Sequence, residues 1–231
     1  MNYFFEPAAL PAVPVVGSSL SFPVHRIYCV GRNYADHAVE MGGTGREAPF
    51  SFTKPADALL VVPQGQTGEL TYPPRTSNLH YEVELVVAIG RGGRNIPVKD
   101  AYRHIFGYAV GLDMTRRDLQ AAAKKEGKPW DVAKGFDQSA PIAPLRQISQ
   151  TGQMLAGKIS LQVNGETRQS GDIGSMIWAV AEIIAELSTL YELQPGDLIY
   201  TGTPAGVGAV ERGEVMSAQI DKLGELKVKV I

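Results

Sequence analysis

The sequence predicts an α+β fold with a large mixed β-sheet and a few packed helices. Three observations carry that prediction. The chain has 231 residues, enough for one large domain or a domain with a small appendage. Its 44% hydrophobic and 20% charged residues are those of a globular core, which excludes disorder, collagen and coiled coil. Many short strand patterns are interleaved with three helical patterns without strict alternation, which argues against a doubly wound sheet.

The elements follow in order along the chain. Residues 1–23 read as a proline-punctuated arm, an edge or an intersubunit strap, ahead of a single catalytic domain over 24–231. A strand over 26–30 is broken by Gly31, and residues 33–41 have helical composition ending at Gly42-Gly43. Residues 42–49 hold three glycines and one proline and read as a mobile loop, a lid candidate. Short strands follow over 50–53, 58–62 and 69–72, and then a clear one over 81–89, alternating at first and continuously apolar afterwards. A second core strand, 105–112, delivers Asp113 to a helix over 116–126, for which Thr115 and Asp118 have capping-box spacing. Residues 158–164 alternate up to Asn164-Gly165, a strong hairpin signal, and 166–169 return. The longest helix spans 175–192, with Ile177, Val180, Ala181, Ile184, Leu187 and Tyr191 on one face, and stops before Pro195-Gly196. A strand over 198–201, a glycine-rich turn and a strand over 226–231 complete the chain.

Composition also bounds the partners. With 22 Lys plus Arg against 24 Asp plus Glu, the net charge of −2 provides no electrostatic footprint for nucleic acid or an anionic membrane. The lone cysteine, Cys29, forms no internal disulfide, which fits a reducing compartment; lying between Tyr28 and Val30 it reads as a small buried apolar side chain. The first 17 residues lack a basic region, carry Glu6 and are broken by Pro7, Pro11 and Pro14, so no secretory signal is read there and the expected location is cytoplasmic. No apolar run reaches the roughly 18 residues of a membrane helix.

Four groups of residues carry candidate chemistry. A two-residue period places Glu82 and Glu84 on one face of their strand, about 7 Å apart, where a hard cation relieves their repulsion; the competing reading is a solvated strand edge. Asp113 ends another core strand with no lysine positioned nearby in sequence to neutralise it. Three such acids select an oxygen-ligated Mg²⁺, Mn²⁺ or Ca²⁺ with coordination positions left for water and substrate. By itself, Asp113 reads equally as a residue favoured at a helix N-terminus. His37 and Glu40 are neighbours on one helical face, a dyad able to activate water, although surface His–Glu pairs of this spacing are common. Arg117, Gln120 and Lys134 imply an anionic substrate, with pairing of Arg117 to Asp118 or Glu82 as the alternative. The loop from Thr201 to Gly208 permits close backbone approach to a ligand, but it is neither a Walker A loop nor a dinucleotide fingerprint.

These residues stand in motifs that resemble the fumarylacetoacetate hydrolase family, in particular its small single-domain acylpyruvate hydrolase branch: Gly31-Arg32-Asn33-Tyr34-Ala35-Asp36-His37 with Glu40, His80-Tyr81-Glu82-Val83-Glu84-Leu85, Leu112-Asp113-Met114-Thr115, Ala133-Lys134, and Thr201-Gly202-Thr203-Pro204. The match runs in order from about Arg26 to the C-terminus, and the five spaced motifs together are far more specific than any one. The resemblance implies a mixed β-roll fold of that family's C-terminal-domain type and a homodimer. It implies Mg²⁺ or Mn²⁺ on Glu82, Glu84 and Asp113, water activated by His37 and Glu40, and substrate contacts from Arg117, Gln120, Lys134 and Thr203. Residues 13–17 and 22–34 are most similar to bacterial members that act on fumarylpyruvate in gentisate breakdown.

The implied reaction is hydrolysis of the carbon–carbon bond of a 3-acylpyruvate, a small anionic diketo acid. Lys134 would stabilise the oxyanion, Arg117 would hold a carboxylate, and Arg32 or Arg46 would meet a distal carboxylate if the acyl group is fumaryl. Two alternatives stand beside it: an oxaloacetate decarboxylase, or a related diketo-acid lyase or isomerase, using the same metal site, and a non-catalytic binding module.

Overall fold

Val83–Ile89 is buried at every position and pairs antiparallel with Ile105–Leu112, and this pair forms the centre of the sheet. In the computed structural model, which describes residues 3–34 and 48–231, the sheet has eight strands. In spatial order they run Phe50–Lys54, Ile27–Gly31, Leu198–Tyr200, Val83–Ile89, Ile105–Leu112, Ala140–Ile142 and Leu59–Val61, with Arg146–Gln147 paired to Ile105–Leu112. The sheet is mixed, since Leu198–Tyr200 runs parallel to Ile27–Gly31 and Ala140–Ile142 parallel to Leu59–Val61. This is the mixed sheet with few helices that the sequence predicts.

The two-residue period of Val83–Ile89 feeds two cores. Leu85, Val87 and Ile89 join one cluster with Ile159, Leu161, Met216 and Val228 of a second, five-stranded sheet. Val86 and Ala88 join another with Ile27, Tyr200, Val13 and Phe22. The last two belong to the N-terminal arm, where Ala12–Pro14 pairs antiparallel with Ser21–Pro23 and lays its apolar side chains on the sheet. Because both faces are covered, the central strands read as continuous apolar runs rather than as alternating ones. Among the described residues, no helix is long and apolar enough to cross a membrane.

The Asn164-Gly165 hairpin forms as predicted between Lys158–Val163 and Glu166–Asp172. Asn164 and Gly165 have φ of 50° and 83°, the pair of positive values that a two-residue turn of this kind requires. Three expectations are corrected. The strand predicted over 81–89 is interrupted at Glu82, with Leu79–Tyr81 in a separate three-stranded sheet and Val83–Ile89 in the central one. The helix predicted over 116–126 runs Arg117–Glu126 without the capping box: the Thr115 hydroxyl donates to the Asp113 carbonyl, and the Asp118 carboxylate accepts from Thr76 Oγ1 and the Ser77 N–H. The helix predicted over 175–192 is shortened to Val180–Leu190. Ahead of it, the Ile177 N–H donates to the Asn33 carbonyl and the Trp178 N–H to Asn33 Oδ1, which holds these residues in a bend. The predicted 33–41 helix and 42–49 loop fall largely on 35–47, outside the described residues.

Candidate metal centre and active-site cleft

The strand interruption at Glu82 places the first carboxylate. The Val83 N–H is taken by Gln169 Oε1 at 3.0 Å and the Glu82 carbonyl accepts from the Asp113 N–H at 2.9 Å, so Glu82 sits where the two sheets part. Glu84 and Asp113 come from the adjoining ends of the central strand pair. Oxygens of Glu82, Glu84 and Asp113 lie within 4.8 Å of one another, and all three residues are buried. The two glutamates therefore converge, but across a break in the strand rather than along one continuous face.

Cations surround this group unevenly. Glu82 is held by Arg117 Nη2 at 2.5 Å and Lys134 Nζ at 2.7 Å. Asp113 is held by Lys134 Nζ at 2.8 Å and by Lys54 Nζ at 2.8 Å. No lysine close to Asp113 in sequence neutralises it, but two remote ones do: Lys134, 21 positions on, and Lys54, from the far strand of the sheet. Lys54 also donates to the Lys134 and Met114 carbonyls, anchoring the turn that carries Lys134. Burial by itself would lower the Lys134 ammonium, but the Asp113 and Glu82 carboxylates outweigh it and keep the group charged. Glu84 differs: among the described residues its one hydrogen bond comes from the Gly202 N–H at 2.8 Å. Burial, reinforced by the Asp113 and Glu82 charges, pushes its carboxyl well above the usual range. A buried carboxyl short of positive charge, in an oxygen-only set of three, fits a hard divalent cation such as Mg²⁺ or Mn²⁺.

Arg117 is fixed from several sides. Its Nη1 donates to Gln120 Oε1 at 2.6 Å and its Nε to His80 Nδ1 at 3.2 Å, while His80 Nε2 pairs with Asn78 Oδ1 at 2.8 Å. Burial, then the neighbouring Arg117 charge, lowers His80 to about 4, so it is neutral at pH 7 and accepts from Arg117. Thr203 is buried, donating to the Val83 carbonyl and accepting from Gln169 Nε2, each at 2.8 Å. The loop glycines meet protein rather than ligand: a Cβ at Gly202 would strike Asn33, and one at Gly206 the Arg168 carbonyl.

Glu82, Glu84, Asp113, Lys134, Arg117, Gln120, Thr203 and Arg32 line one cleft, so the structure brings these eight predicted positions together. Phe50, Phe52 and Trp130 line it as well. His37, Glu40 and Arg46 lie outside the described residues. Sequence reasoning missed Lys54, His80, Gln169 and Asn33 as supports of the site. Gln169 had no usable signal: the two-residue turn alone would set Arg168 opposite Leu161, and only a bulge between Leu161 and Gln162 brings Gln169 there. Lys54 had none, since nothing in its strand points to Asp113.

Comparison with known proteins bears on this cleft. Residues 26–231 match the family model described as fumarylacetoacetate hydrolase, C-terminal. A fumarylpyruvate hydrolase from a Ralstonia species is 48% identical over 187 residues, covering 80% of this chain and 93% of that protein. The crystal structure of a fumarylpyruvate hydrolase from Pseudomonas aeruginosa in complex with Mn²⁺ and pyruvate superposes with a TM-score of 0.98 at 57% identity, covering 100% of this chain and 99% of that one. An oxaloacetate tautomerase from Escherichia coli is 40% identical over 206 residues, covering 89% of this chain and 92% of that protein.

Proposed function

The chain belongs to the fumarylacetoacetate hydrolase family, and from that premise we propose that it is a metal-dependent enzyme hydrolysing the carbon–carbon bond of a 3-acylpyruvate, fumarylpyruvate yielding fumarate and pyruvate. The observation that carries the proposal is the grouping of three buried carboxylates, with oxygens within 4.8 Å and two of them held by the Lys134 ammonium, in one cleft. Glu82, Glu84 and Asp113 would hold a divalent ion, which when bound would supply Lewis-acid stabilisation of charge developing on the pyruvyl portion. Mg²⁺ and Mn²⁺ both suit the donor set, and the Mn²⁺ in the Pseudomonas relative supports this class of ion.

The remaining steps belong to side chains. The Arg117 guanidinium, oriented by His80 and Gln120, holds a substrate carboxylate. His37, oriented by Glu40, takes a proton from water as its oxygen adds to the acyl carbonyl. The Lys134 ammonium stabilises the oxyanion that forms there. The bond between the acyl carbon and C3 of the pyruvyl portion then breaks, its electron pair stays on the pyruvyl fragment, and C3 takes up a proton to give pyruvate. Thr203 and Arg32 complete the substrate contacts, with Arg46 the other choice for a distal carboxylate. Glu82, Glu84 and Asp113 are matched in number by Lys54, Lys134 and Arg117, so a bound divalent ion leaves the cleft positive and suited to an anionic diketo acid. Residues 24–231 act as one catalytic domain with 1–23 as its arm. The protein works as a cytoplasmic homodimer in aromatic catabolism, a placement supported by the free buried Cys29 and by the gentisate-pathway resemblance.

A second reading, tautomerisation of oxaloacetate, is favoured by the Escherichia coli relative and by an oxaloacetate tautomerase of Rattus norvegicus that is 43% identical over 204 residues. One assay separates the readings: fumarylpyruvate, acetylpyruvate and oxaloacetate are each incubated with and without Mg²⁺ or Mn²⁺, and pyruvate, carbon dioxide and loss of oxaloacetate enol are followed. Metal-dependent pyruvate from fumarylpyruvate is expected. Enol loss with no pyruvate from any substrate would instead establish the tautomerase, and inertness toward all three would leave a binding module.

A further inference from the structure

Three aromatic side chains in the cleft are unused by the chemistry above. Phe50 and Phe52 project from one strand, and Trp130 precedes the turn that carries Lys134. Phe50 and Trp130 pack edge to face with ring centroids 5.4 Å apart and an interplanar angle of 85°, while Phe52 and Trp130 are 5.8 Å apart at 59°. These are the favourable separations for aromatic pairs, so the three rings brace one another as a unit. The backbone makes room for them. Gly31 lies directly across the strand ladder from Phe50, and a Cβ there would stand 2.1 Å from the Phe50 ring. Glycine at this position lets the ring lie over the end of the neighbouring strand, inside the cleft.

Cations bracket the wall. The Lys134 ammonium is 5.1 Å from the Phe52 ring centroid, and the Arg32 guanidinium is 5.5 Å from that of Phe50. A ligand lying along the rings therefore meets Lys134 at one end and Arg32 at the other, with the apolar edges and faces of three mutually tilted rings between. The complementary shape is an extended, largely apolar segment with an anionic group at each end. A short saturated acyl group covers little of such a surface.

We propose that Phe50, Phe52 and Trp130 form the acyl-binding wall of the cleft and select an extended acyl group ending in a carboxylate over a short one without it. The inference rests on the acylpyruvate reading and extends it from the reaction to the choice of substrate. Discrimination by apolar pocket contacts amounts to about 10- to 200-fold for one small group, so losing a wall residue is expected to act at the lower half of that range.

The test compares kcat/KM for fumarylpyruvate and for acetylpyruvate in the unaltered enzyme, in Trp130→Ala and in Phe50→Leu, with Mn²⁺ present. The Trp130 carbonyl accepts from the Ala133 and Lys134 N–H groups of the Lys134 turn, and the alanine variant keeps these bonds. Phe50→Leu provides an independent variant on a different element. The expected result is a fumarylpyruvate-to-acetylpyruvate ratio that falls about 10- to 50-fold in both variants. Parallel loss on the two substrates, or an unchanged ratio, would overturn the wall while leaving the hydrolase reading intact. No pyruvate from either substrate with the unaltered enzyme would overturn both.

Discussion

Glu84 and His80 show how single environments set charge in this cleft. Glu84 is fully enclosed, and burial together with two neighbouring carboxylates raises its carboxyl well above the usual range. A ligand carboxyl must lose its proton to bind metal, so affinity for Mn²⁺ is expected to rise with pH through that raised value. Calorimetric titration at several pH values checks the direction. In Glu84→Gln, affinity should fall by more than the roughly 10- to 100-fold that follows loss of an outer-shell partner. His80 behaves in the opposite sense. Its folded value, lowered by burial and by Arg117 to about 4, lies below the ordinary 6.5, so the unfolded chain binds the proton more readily. The stability that His80 contributes is present above pH 6.5 and is lost as pH falls toward 4. His80→Gln should therefore be less stable than the parent at pH 7.5, with the gap closing at pH 4.5; a gap independent of pH in thermal melts would contradict this.

At the scale of elements, the hairpin Lys158–Val163 to Glu166–Asp172 reaches the site through one buried side chain. Gln169 accepts from the Val83 N–H and donates to Thr203 Oγ1 and the Pro204 carbonyl, tying together the strand break at Glu82 and the Thr203 loop. Gln169→Leu leaves three buried polar groups without this partner and is expected to cost about 3 kcal/mol, measurable by urea unfolding. The hairpin itself was legible in the chain, because Asn164-Gly165 is a local turn signal. Its hold on the cleft was not, since Gln169 and Val83 are 86 positions apart. The shortened helix Val180–Leu190 is a similar case. The apolar period runs through residues 175–192, but Asn33, buried and 145 positions from Trp178, accepts from the Ile177 and Trp178 N–H groups and fixes the chain there in a bend ahead of the helix. Periodicity reports which side chains face a core; it does not report a distant amide competing for the backbone.

For the whole molecule, the cleft is a junction of sheets, and a bound ion joins segments remote in sequence. An ion that binds the folded form alone stabilises it by about 2.7 kcal/mol at a concentration 100 times its dissociation constant. For a chain of 231 residues this corresponds to a rise in Tm of about 5–10 °C. Thermal unfolding with Mn²⁺ and with a chelator measures it. A Tm unmoved by Mn²⁺ would refute the metal site, whatever the activity.

By itself the amino-acid sequence determined the mixed α+β architecture, the two central strands, the hairpin turn and the residue types of the cleft. Each of these depends on local period, turn chemistry or an ordered series of motifs, all readable without knowing which strands are neighbours. Tertiary structure alone decided that the chain breaks at Glu82, that Lys54 neutralises Asp113, that Gln169 and Asn33 brace the site, and that three aromatic rings face the ligand space. These depend on strand order and on contacts across long stretches of chain. A buried charge takes whichever partner the fold delivers, and sequence distance carries no record of that delivery.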